Sequence, residues 1–468
     1  MKRMKWWQFS IVAALLSACS TPFCNAPGGL CAPSQANTSA VPAPVVASPA
    51  PAAIPAPPAA AEAEPEAQAA EVFAVQLPPP APSTGTGTGT NPSYISAPPA
   101  GNDAAPRAWA DAATSADNSG TSTASTKSGP LLRIALLLPL QTEALAQAAA
   151  AVRDGVQAAW DREPDNITLT AIATSDVPQD VLYSYAHAVQ QYDVVIGPLS
   201  RAAVGTLAES VLVTKPTIAL NYPEGHSRAS QLPPLMLAMG LSLEDEARQL
   251  ARRALQDGVK ASASIVSTTT AWQRRVASAF ADQWQDDGKV ANIEELGTPE
   301  GELGETEILQ WYARLRTERP GLLFSAMGAE QTRHVLAVLA DADAAQADPV
   351  LPRLRLYGTS ALNNGTALPA LNGLRLLDLP WSLQPDHAAV MSYPHPASAI
   401  GPDLERLYAL GIDAYRVARA IGRQPDGVIR LDGVTGQLRV DFGHGPARFE
   451  RHEAAAEFRN GQPQVLIP

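Results

Sequence analysis

The feature that most constrains the fold of this chain is a regular alternation of strand-like and helix-like segments that begins at Leu131. The segment from Leu131 to Pro139 is an apolar run of strand length, which is typical of a strand buried on both faces. An Ala-rich segment with apolar residues at helical spacing follows at 144–160, and 167–173 is again strand-like. Alternation of this kind down to residue 421 predicts parallel sheets wrapped in helices.

The other predicted elements divide naturally into two groups. One sheet built from all of the strands would be unusually large, and the loop at 221–240 offers a break, so we expect an α/β fold of two doubly wound, Rossmann-like lobes. We place lobe I at about 130–238 and 382–424, and lobe II at about 239–381 and 425–468. The further strands are predicted at 194–196, 217–220, 263–266, 321–324, 354–357 and 374–377, with helices near 178–191, 201–212, 242–257, 271–287, 305–317, 329–341 and 402–421.

The segment ahead of this alternation has a different composition. Residues 32–126 are mostly Ala, Pro, Ser, Gly and Thr, include a Gly-Thr repeat, and contain only Phe73, Tyr94 and Trp109 as aromatic residues. A segment of this kind cannot bury a core, so we expect a disordered Pro/Ala-rich linker. Its reach would be about 300 Å as extended polyproline and about 55 Å as a flexible coil.

The first residues indicate export. Lys2, Arg3 and Lys5 precede an apolar stretch at 9–16 that is too short to span a bilayer, and the run Leu-Ser-Ala-Cys ends at Cys19. This pattern resembles the signal of bacterial lipoproteins, in which Cys19 is acylated and becomes the first residue of the mature chain. The resemblance implies a signal peptide at 1–18, a lipidated N-terminus and linker at 19–129, and, because Ser20 rather than Asp follows, transport to the outer membrane. An ordinary secretory signal with a chance cysteine is the alternative.

Cysteine usage and charge exclude several classes of site. The three cysteines all precede the linker, so the body has neither thiol chemistry nor a cysteine metal site. Cys24 and Cys31 fit either a small disulfide of an oxidising compartment or two unpaired thiols. The formal net charge of -12 argues against a nucleic-acid partner.

The predicted strand ends supply candidate binding residues. Ligands of open parallel sheets bind outside the carboxyl ends of the strands, and here these ends are mostly small, hydroxyl-bearing and uncharged. Helix capping accounts for the same Ser and Thr residues without a ligand. The candidate cleft-lining residues are Pro139, Leu140, Ser175, Asp176, Gly197, Pro198, Asn221, Tyr222, Ser267, Thr268, Ser325, Thr359 and Ser360.

No catalytic motif is apparent. The sequence contains no G-x-S-x-G elbow, no H-E-x-x-H, no P-loop and no S-x-x-K at a helix start after a strand. His452, Glu453 and Glu457 form the nearest approach to a metal cluster, but they lie in a polar hairpin and we interpret them as solvated surface. We therefore expect that the protein is not an enzyme and uses neither a cofactor nor a metal.

Four blocks carry a resemblance to a known family. Residues 239–249, 356–360, 378–381 and 407–415 are similar to the LppC family, whose members are outer-membrane lipoproteins that activate a class A penicillin-binding protein, a bifunctional peptidoglycan synthase. The closing segment, 431–461, resembles the final hairpin of type I periplasmic binding proteins. One departure is that the Pro/Ala-rich linker stands where the best-studied members carry a helical-repeat domain.

The resemblance implies a regulator that reaches a peptidoglycan synthase from the outer membrane, as a lipid-anchored protein on the periplasmic face. The alternative is a solute-binding module that senses an amino acid or a peptidoglycan fragment between the lobes. Two positions within the similar blocks have open roles at this stage. Trp381 fits a hinge or a core position, and Asp413 and Tyr415 fit the cleft or the core.

Substituting Cys19 by Ala tests the predicted anchor. We expect the variant to remain uncleaved or to appear as a soluble periplasmic protein, because the lipid on Cys19 is the anchor that the sequence predicts. Fractionation of membranes and periplasm measures this. A variant that still sediments with the outer membrane would contradict the lipoprotein interpretation.

Overall fold

The structure is a computed structural model that describes residues 130–224, 232–297, 303–396 and 398–466. The described residues do not include the predicted signal peptide, the three cysteines or the predicted linker. Signal cleavage, lipidation, the Cys24–Cys31 alternatives and linker disorder therefore remain predictions. The expected α/β class is confirmed, with helices packed on sheets that are largely parallel.

The first lobe is built on a five-stranded parallel sheet. Its strand order is β2-β1-β3-β4-β5, so β1 lies inside the sheet and pairs with β2 on one side and β3 on the other. Ile134, Leu136 and Leu137 of β1 are completely buried or nearly so, as the apolar run predicts. The strands are β1 (Leu132–Leu138), β2 (Ile167–Ala173), β3 (Val194–Ile196), β4 (Thr217–Ala219) and β5 (Met236–Ala238).

The second lobe is built on a seven-stranded sheet of order β15-β14-β10-β9-β8-β6-β7. Strands β6 to β10 are mutually parallel, whereas β14 pairs antiparallel with β10 and β15 pairs antiparallel with β14. The strands are β6 (Ala263–Thr268), β7 (Ala291–Leu296), β8 (Leu322–Ser325), β9 (Arg355–Gly358), β10 (Arg375–Asp378), β14 (Ala454–Arg459) and β15 (Gln462–Val465).

A third sheet, of three antiparallel strands, packs on the first lobe. It consists of β11 (Gly427–Asp432), β12 (Gln437–Phe442) and β13 (Arg448–His452). Leu438, Val440 and Phe442 of β12 belong to the same hydrophobic core as β1. The sequence-based division placed 425–468 with lobe II, but only β14 and β15 of this segment join the second sheet, because the inward face of β12 is apolar and packs on the first lobe.

The helices cover the two large sheets. In the first lobe, α1 and α10 pack against each other, and residues of both helices share one core with β1. None of the described helices combines the length and the apolarity that a bilayer crossing requires. The helices are α1 (Glu143–Arg162), α2 (Pro178–Gln191), α3 (Arg201–Ala208), α4 (Leu243–Gln256), α5 (Ala271–Asp286), α6 (Glu305–Glu318), α7 (Ala329–Ala344), α8 (Pro380–Leu383), α9 (Ala388–Met391) and α10 (Pro402–Arg423).

The chain passes between the lobes three times within the described residues. The first crossing, 239–242, joins β5 to α4, and the second, 378–380, joins β10 to α8. The third crossing is Glu453, the single residue between β13 and β14. These three segments form the hinge between the lobes.

A glycine sets the closest approach of α1 and α10. A Cβ atom at Gly155 would overlap the backbone carbonyl of Tyr408, which cannot move without displacing α10. We expect Gly155→Ala to lower the free energy of unfolding by about 3 kcal/mol, which is typical of overpacking. Urea denaturation measures this. Gly328→Ala is the matched control, because its Cβ would meet no atom within 4 Å, and a similar loss in both variants would contradict the close-packing argument.

Candidate functional site at the interlobe hinge

Each of the three crossings has a buried or half-buried acidic side chain within it or just after it. Glu246 lies in the first turn of α4, just after the first crossing, and is 4% exposed. Asp378 ends β10 at the second crossing and is completely buried. Glu453 forms the third crossing. Burying an ionised carboxylate costs free energy unless it is paired with a cation or becomes protonated. Each of these carboxyl groups at the hinge therefore needs a cation or a proton.

Arg406 of α10 neutralises the second crossing. Its guanidinium donates from Nε to Asp378 Oδ1 at 3.1 Å and from Nη2 to Asp378 Oδ2 at 2.7 Å, although the residue is only 3% exposed. The same Nη2 also donates to the carbonyl oxygens of Ser360 and Asn363, at 3.1 and 2.9 Å. The bidentate geometry and the extra acceptors satisfy the guanidinium away from water, as a buried ion pair needs.

Asp378 is saturated by the same arrangement. Besides Arg406, its carboxylate accepts from the Leu379 N–H and from the Asn363 side-chain amide, each at 2.8 Å. Arg406 belongs to the first lobe, whereas Asp378, Ser360 and Asn363 belong to the second. The ion pair therefore bonds the two lobes to each other at the hinge.

Glu246 lies beside this ion pair with hydroxyl and amide partners. It accepts from the backbone N–H of Ser360 at 2.8 Å and pairs with the Ser360 hydroxyl at 2.9 Å. Burial, with a further contribution from the charge of Asp378, raises the pKa of Glu246 to about 8. The hinge therefore favours the protonated form of the Glu246 carboxyl group more than water does.

Glu453 is less well satisfied. The residue as a whole is half-buried, but its carboxylate oxygen Oε2 is buried and has no hydrogen-bond partner among the described residues. Burial first, and then the charge of Glu246, raises the pKa of Glu453 well above its ordinary value. The interpretation of Glu453 as solvated surface is wrong, because Glu453 is itself the third crossing and one of its carboxylate oxygens is buried at the hinge.

Arg451 is the second cation at the hinge. It donates to the carbonyl oxygens of Gly240 at 2.9 Å and Met239 at 3.2 Å, and to the Thr435 hydroxyl at 3.2 Å. Met239 and Gly240 belong to the first crossing, and Arg451 lies two residues before the third crossing. The hydrogen bonds of Arg451 therefore connect these two crossings.

A groove runs along the seam next to the hinge. Its volume is about 620 Å³, and both lobes line it. Arg201 of α3 lies 3.7 Å from Glu244 of α4 across the seam, and Glu244 also accepts from Arg275 at 3.0 Å. The lining includes Arg201, Tyr222, Pro223 and Phe449 from the first lobe, and Ser242, Glu244, Asp245, Arg248, Arg275, Ser278 and Asp282 from the second.

The candidate cleft residues of the first lobe have mainly local roles. Ser175 donates to Asp180 at 2.6 Å, near the start of α2, and Thr142 donates to Asp176 at 2.9 Å. Asn221 bonds to the Leu199 carbonyl. Tyr222 is brought to the groove. Pro139, Leu140, Gly197 and Pro198 lie at the ends of β1 and β3, as their sequence positions predict.

The candidate residues of the second lobe are buried. Ser325 pairs with Thr332 at 2.7 Å, and Thr268 bonds to Gln273 at 2.8 Å. The Ser267 and Thr359 hydroxyls have no hydrogen-bond partner within the part of the chain that the structure describes. Ser360 is the member of this set that the structure brings to the hinge, through Glu246 and Arg406. A role of these residues in binding a ligand remains a prediction.

The structure also places the residues whose roles the sequence left open. Trp381 packs in the first-lobe core and donates to Glu405 at 3.1 Å, so it combines the hinge and core positions. Asp413 is completely buried and accepts from the N–H and hydroxyl of Thr435, at 2.8 and 2.7 Å. Tyr415 donates to the Glu163 carbonyl in the α1–α10 core.

Sequence reasoning missed the hinge cluster. Arg406, Glu246 and Arg451 were not candidates, and Glu453 was assigned to the surface. One signal was present: Asp378 ends an apolar strand directly before Leu-Pro-Trp, so a charge was predictable at a crossing. Its partner was not predictable, because Arg406 is 28 residues away and reaches Asp378 only in the folded chain. Among the described residues, no group of three or more His, Cys, Asp or Glu side chains could hold a metal ion.

Comparison with known proteins confirms the expected family resemblance. The family described as LppC putative lipoprotein matches residues 121–461. A protein named penicillin-binding protein activator LpoA from Vibrio cholerae is 27% identical over 339 residues, which is 66% of this chain and 54% of that protein. The protein of the same name from Pasteurella multocida is 26% identical over 321 residues, 65% of this chain and 50% of that protein. The chain thus spans about half the length of the curated relatives it matches.

Solved structures agree on the fold. The LpoA C-domain from Haemophilus influenzae, a regulator of PBP1A, has a TM-score of 0.57 at 22% identity, and the match covers 72% of this chain and 100% of that domain. A putative branched-chain amino acid ABC transporter from Chromobacterium violaceum has a TM-score of 0.56 at 35% identity and covers 70% of this chain and 100% of its own.

Removing the hinge cation tests the ion pair. We expect Arg406→Gln to lower the free energy of unfolding by about 3–5 kcal/mol, because Asp378 is left as an uncompensated buried charge. The second substitution Asp378→Asn should restore part of the loss, because it removes that charge. Urea denaturation measures both. Arg333→Gln is the control, since Arg333 forms an exposed pair with Glu330, and an equal effect of both Arg substitutions would contradict the argument.

Proposed function

Because this chain belongs to the LppC family of putative lipoproteins, we propose that it binds and activates a class A penicillin-binding protein, a peptidoglycan synthase. In this proposal the protein regulates cell-wall synthesis from the outer membrane, where the lipid on Cys19 holds it on the periplasmic face. The function is regulatory and needs no catalytic residue, cofactor or metal. The names of the relatives from Vibrio cholerae and Pasteurella multocida support the proposal.

The observation that carries the proposal is the interlobe ion pair of Arg406 and Asp378. A solute-binding protein of two lobes closes on its ligand through a hinge whose residues change conformation. Here the hinge contains a guanidinium of one lobe with four hydrogen bonds to the other, of which three are buried and the one to the Asn363 carbonyl is partly buried. Opening would expose or break this pair at a cost of several kcal/mol, so the arrangement favours a rigid docking body.

One observation favours the alternative, a solute-binding module. The groove of about 620 Å³ at the seam is large enough for an amino acid or a small peptide, and it offers both Arg248 and Asp245. These two side chains are already paired with each other at 2.5 Å, so a zwitterionic ligand would have to displace an existing interaction. For this reason we rank the regulator first.

The test measures glycan polymerisation and peptide crosslinking by a cognate class A synthase, with and without the full mature chain. We expect stimulation by the wild-type chain, and equal stimulation by Arg248→Ala, because docking of a rigid body does not use the groove. Arg153→Ala is the matched control, since Arg153 is an exposed arginine of α1 that pairs with the neighbouring Asp154.

Calorimetry with amino acids and muropeptides separates the two functions. No stimulation by the wild-type chain, together with solute binding that Arg248→Ala abolishes and Arg153→Ala preserves, would overturn the regulator in favour of the solute-binding module. Stimulation without solute binding would support the regulator.

A further inference from the structure

We propose that proton occupancy of the buried carboxyl groups at the three crossings controls how firmly the two lobes are held together, so that the hinge stiffens as pH falls and loosens as pH rises. This device goes beyond the proposed function, because it depends only on the hinge and not on which partner docks.

The balance of charges at the hinge carries the inference. Each crossing contributes one carboxyl group, from Glu246, Asp378 and Glu453, whereas two guanidinium groups, Arg406 and Arg451, lie among them. The two arginines leave one negative charge in excess when all three carboxyl groups are ionised. An uncompensated buried charge costs several kcal/mol, and a carboxyl group avoids this cost by binding a proton.

Other charged groups also lie around the cluster. Asp403 bonds to Arg406 at 2.9 Å but is 41% exposed, and Asp245 is 47% exposed and pairs with Arg248. Asp413, which reaches Arg451 through Thr435, is paired with Arg416 at 3.1 Å. Arg252 lines the cavity next to Glu453 together with Gln249, whose side chain lies 3.5 Å from the Glu453 N–H. The Asp245–Arg248 and Asp413–Arg416 pairs are neutral. Asp403 adds a negative charge at Arg406, and Arg252, which donates to Gln283 at 2.8 Å, adds a positive charge beside Glu453, so together they leave the excess charge unchanged. His387 and His452 line the same cavity as Glu453, and His387 lies 3.5 Å from Asp432.

Two of the three carboxyl groups can take up the proton. Asp378 accepts four hydrogen bonds, two of them from Arg406, so its carboxylate oxygens are already occupied. Glu453 Oε2 has no hydrogen-bond partner within the described ranges, and Glu246 has no cation bonded to it there, only Ser360. The raised pKa values of Glu246, about 8, and of Glu453 agree with this assignment.

The direction of the effect follows from linkage. Between the ordinary pKa of a glutamate, about 4.3, and the raised pKa, the folded protein binds a proton that the unfolded chain does not. Stability is therefore fully present below about pH 4 and declines as pH rises toward 8. One charge appears on Glu246, just after the first crossing, and the other on Glu453, which forms the third crossing. Their repulsion acts where the crossings come together, so the hinge loosens before the core of either lobe does.

Hydrogen exchange on the full chain tests this. We compare exchange at pH 6 and pH 9 after correction for intrinsic exchange rates. We expect protection to fall at least about tenfold for the amides at 239–242, 379–383 and 452–455. A tenfold fall is the change in the opening equilibrium that corresponds to one pKa unit. Glu453→Gln and Glu246→Gln should each reduce the change, because a neutral amide mimics the protonated acid.

Glu450→Gln is the matched control, because Glu450 lies on the same strand as the third crossing but pairs with Arg439 in solvent. It should show the full wild-type change. Protection of the crossings that is independent of pH, or the same pH dependence in wild type and both hinge variants, would overturn the proposal. If Glu453→Gln does not fold, Glu246→Gln alone decides, since its two contacts to Ser360 remain available to an amide.

Discussion

The bidentate ion pair between Arg406 and Asp378 is the interaction on which the relation of the two lobes depends. It lies at the second crossing, where the chain leaves one sheet for the core of the other, and it brings the Ser360 and Asn363 carbonyls into the same network. Because the pair is buried, removal of one partner leaves the charge of the other without solvation. A hydrophobic contact in this place would hold the lobes together without fixing their relative orientation. The planar guanidinium group of Arg406 holds them together and also fixes that orientation.

The helix that carries Arg406 is itself held rigidly. Gly155 and Gly411 let α1 and α10 approach until backbone meets backbone, and Tyr415 bonds across to the Glu163 carbonyl. Both ends of the hinge interaction are therefore anchored in well-packed elements, α10 in the first lobe and β10 inside the second sheet. Precision at the hinge follows from this packing, since a flexible support would let the ion pair separate and admit water.

The hinge also distinguishes two uses of one architecture. Folds of this class serve many functions, so the fold alone does not separate a solute-binding protein from a docking regulator. The distinction rests on what occupies the crossings. Two buried carboxyl groups, a third in the half-buried Glu453, and two arginines make the hinge of this chain an electrostatic junction, and its state depends on protons as well as on packing.

Local pattern determined much of the fold, because strand β1 and helices α2, α5 and α10 follow from apolar periodicity and lie within a few residues of their predicted bounds. Strands β5 and β7 were not predicted, since β5 has three residues and β7 reads Ala-Asn-Ile-Glu-Glu-Leu with little apolar alternation. Only the tertiary structure decided that β12 packs on the first lobe, that Arg406 pairs with Asp378, and that the charges of Glu246 and Glu453 lie near enough to interact with Asp378. Periodicity reports which face of an element is buried, but the charges that meet inside a hinge are brought together by segments distant in sequence, and no local pattern records that meeting.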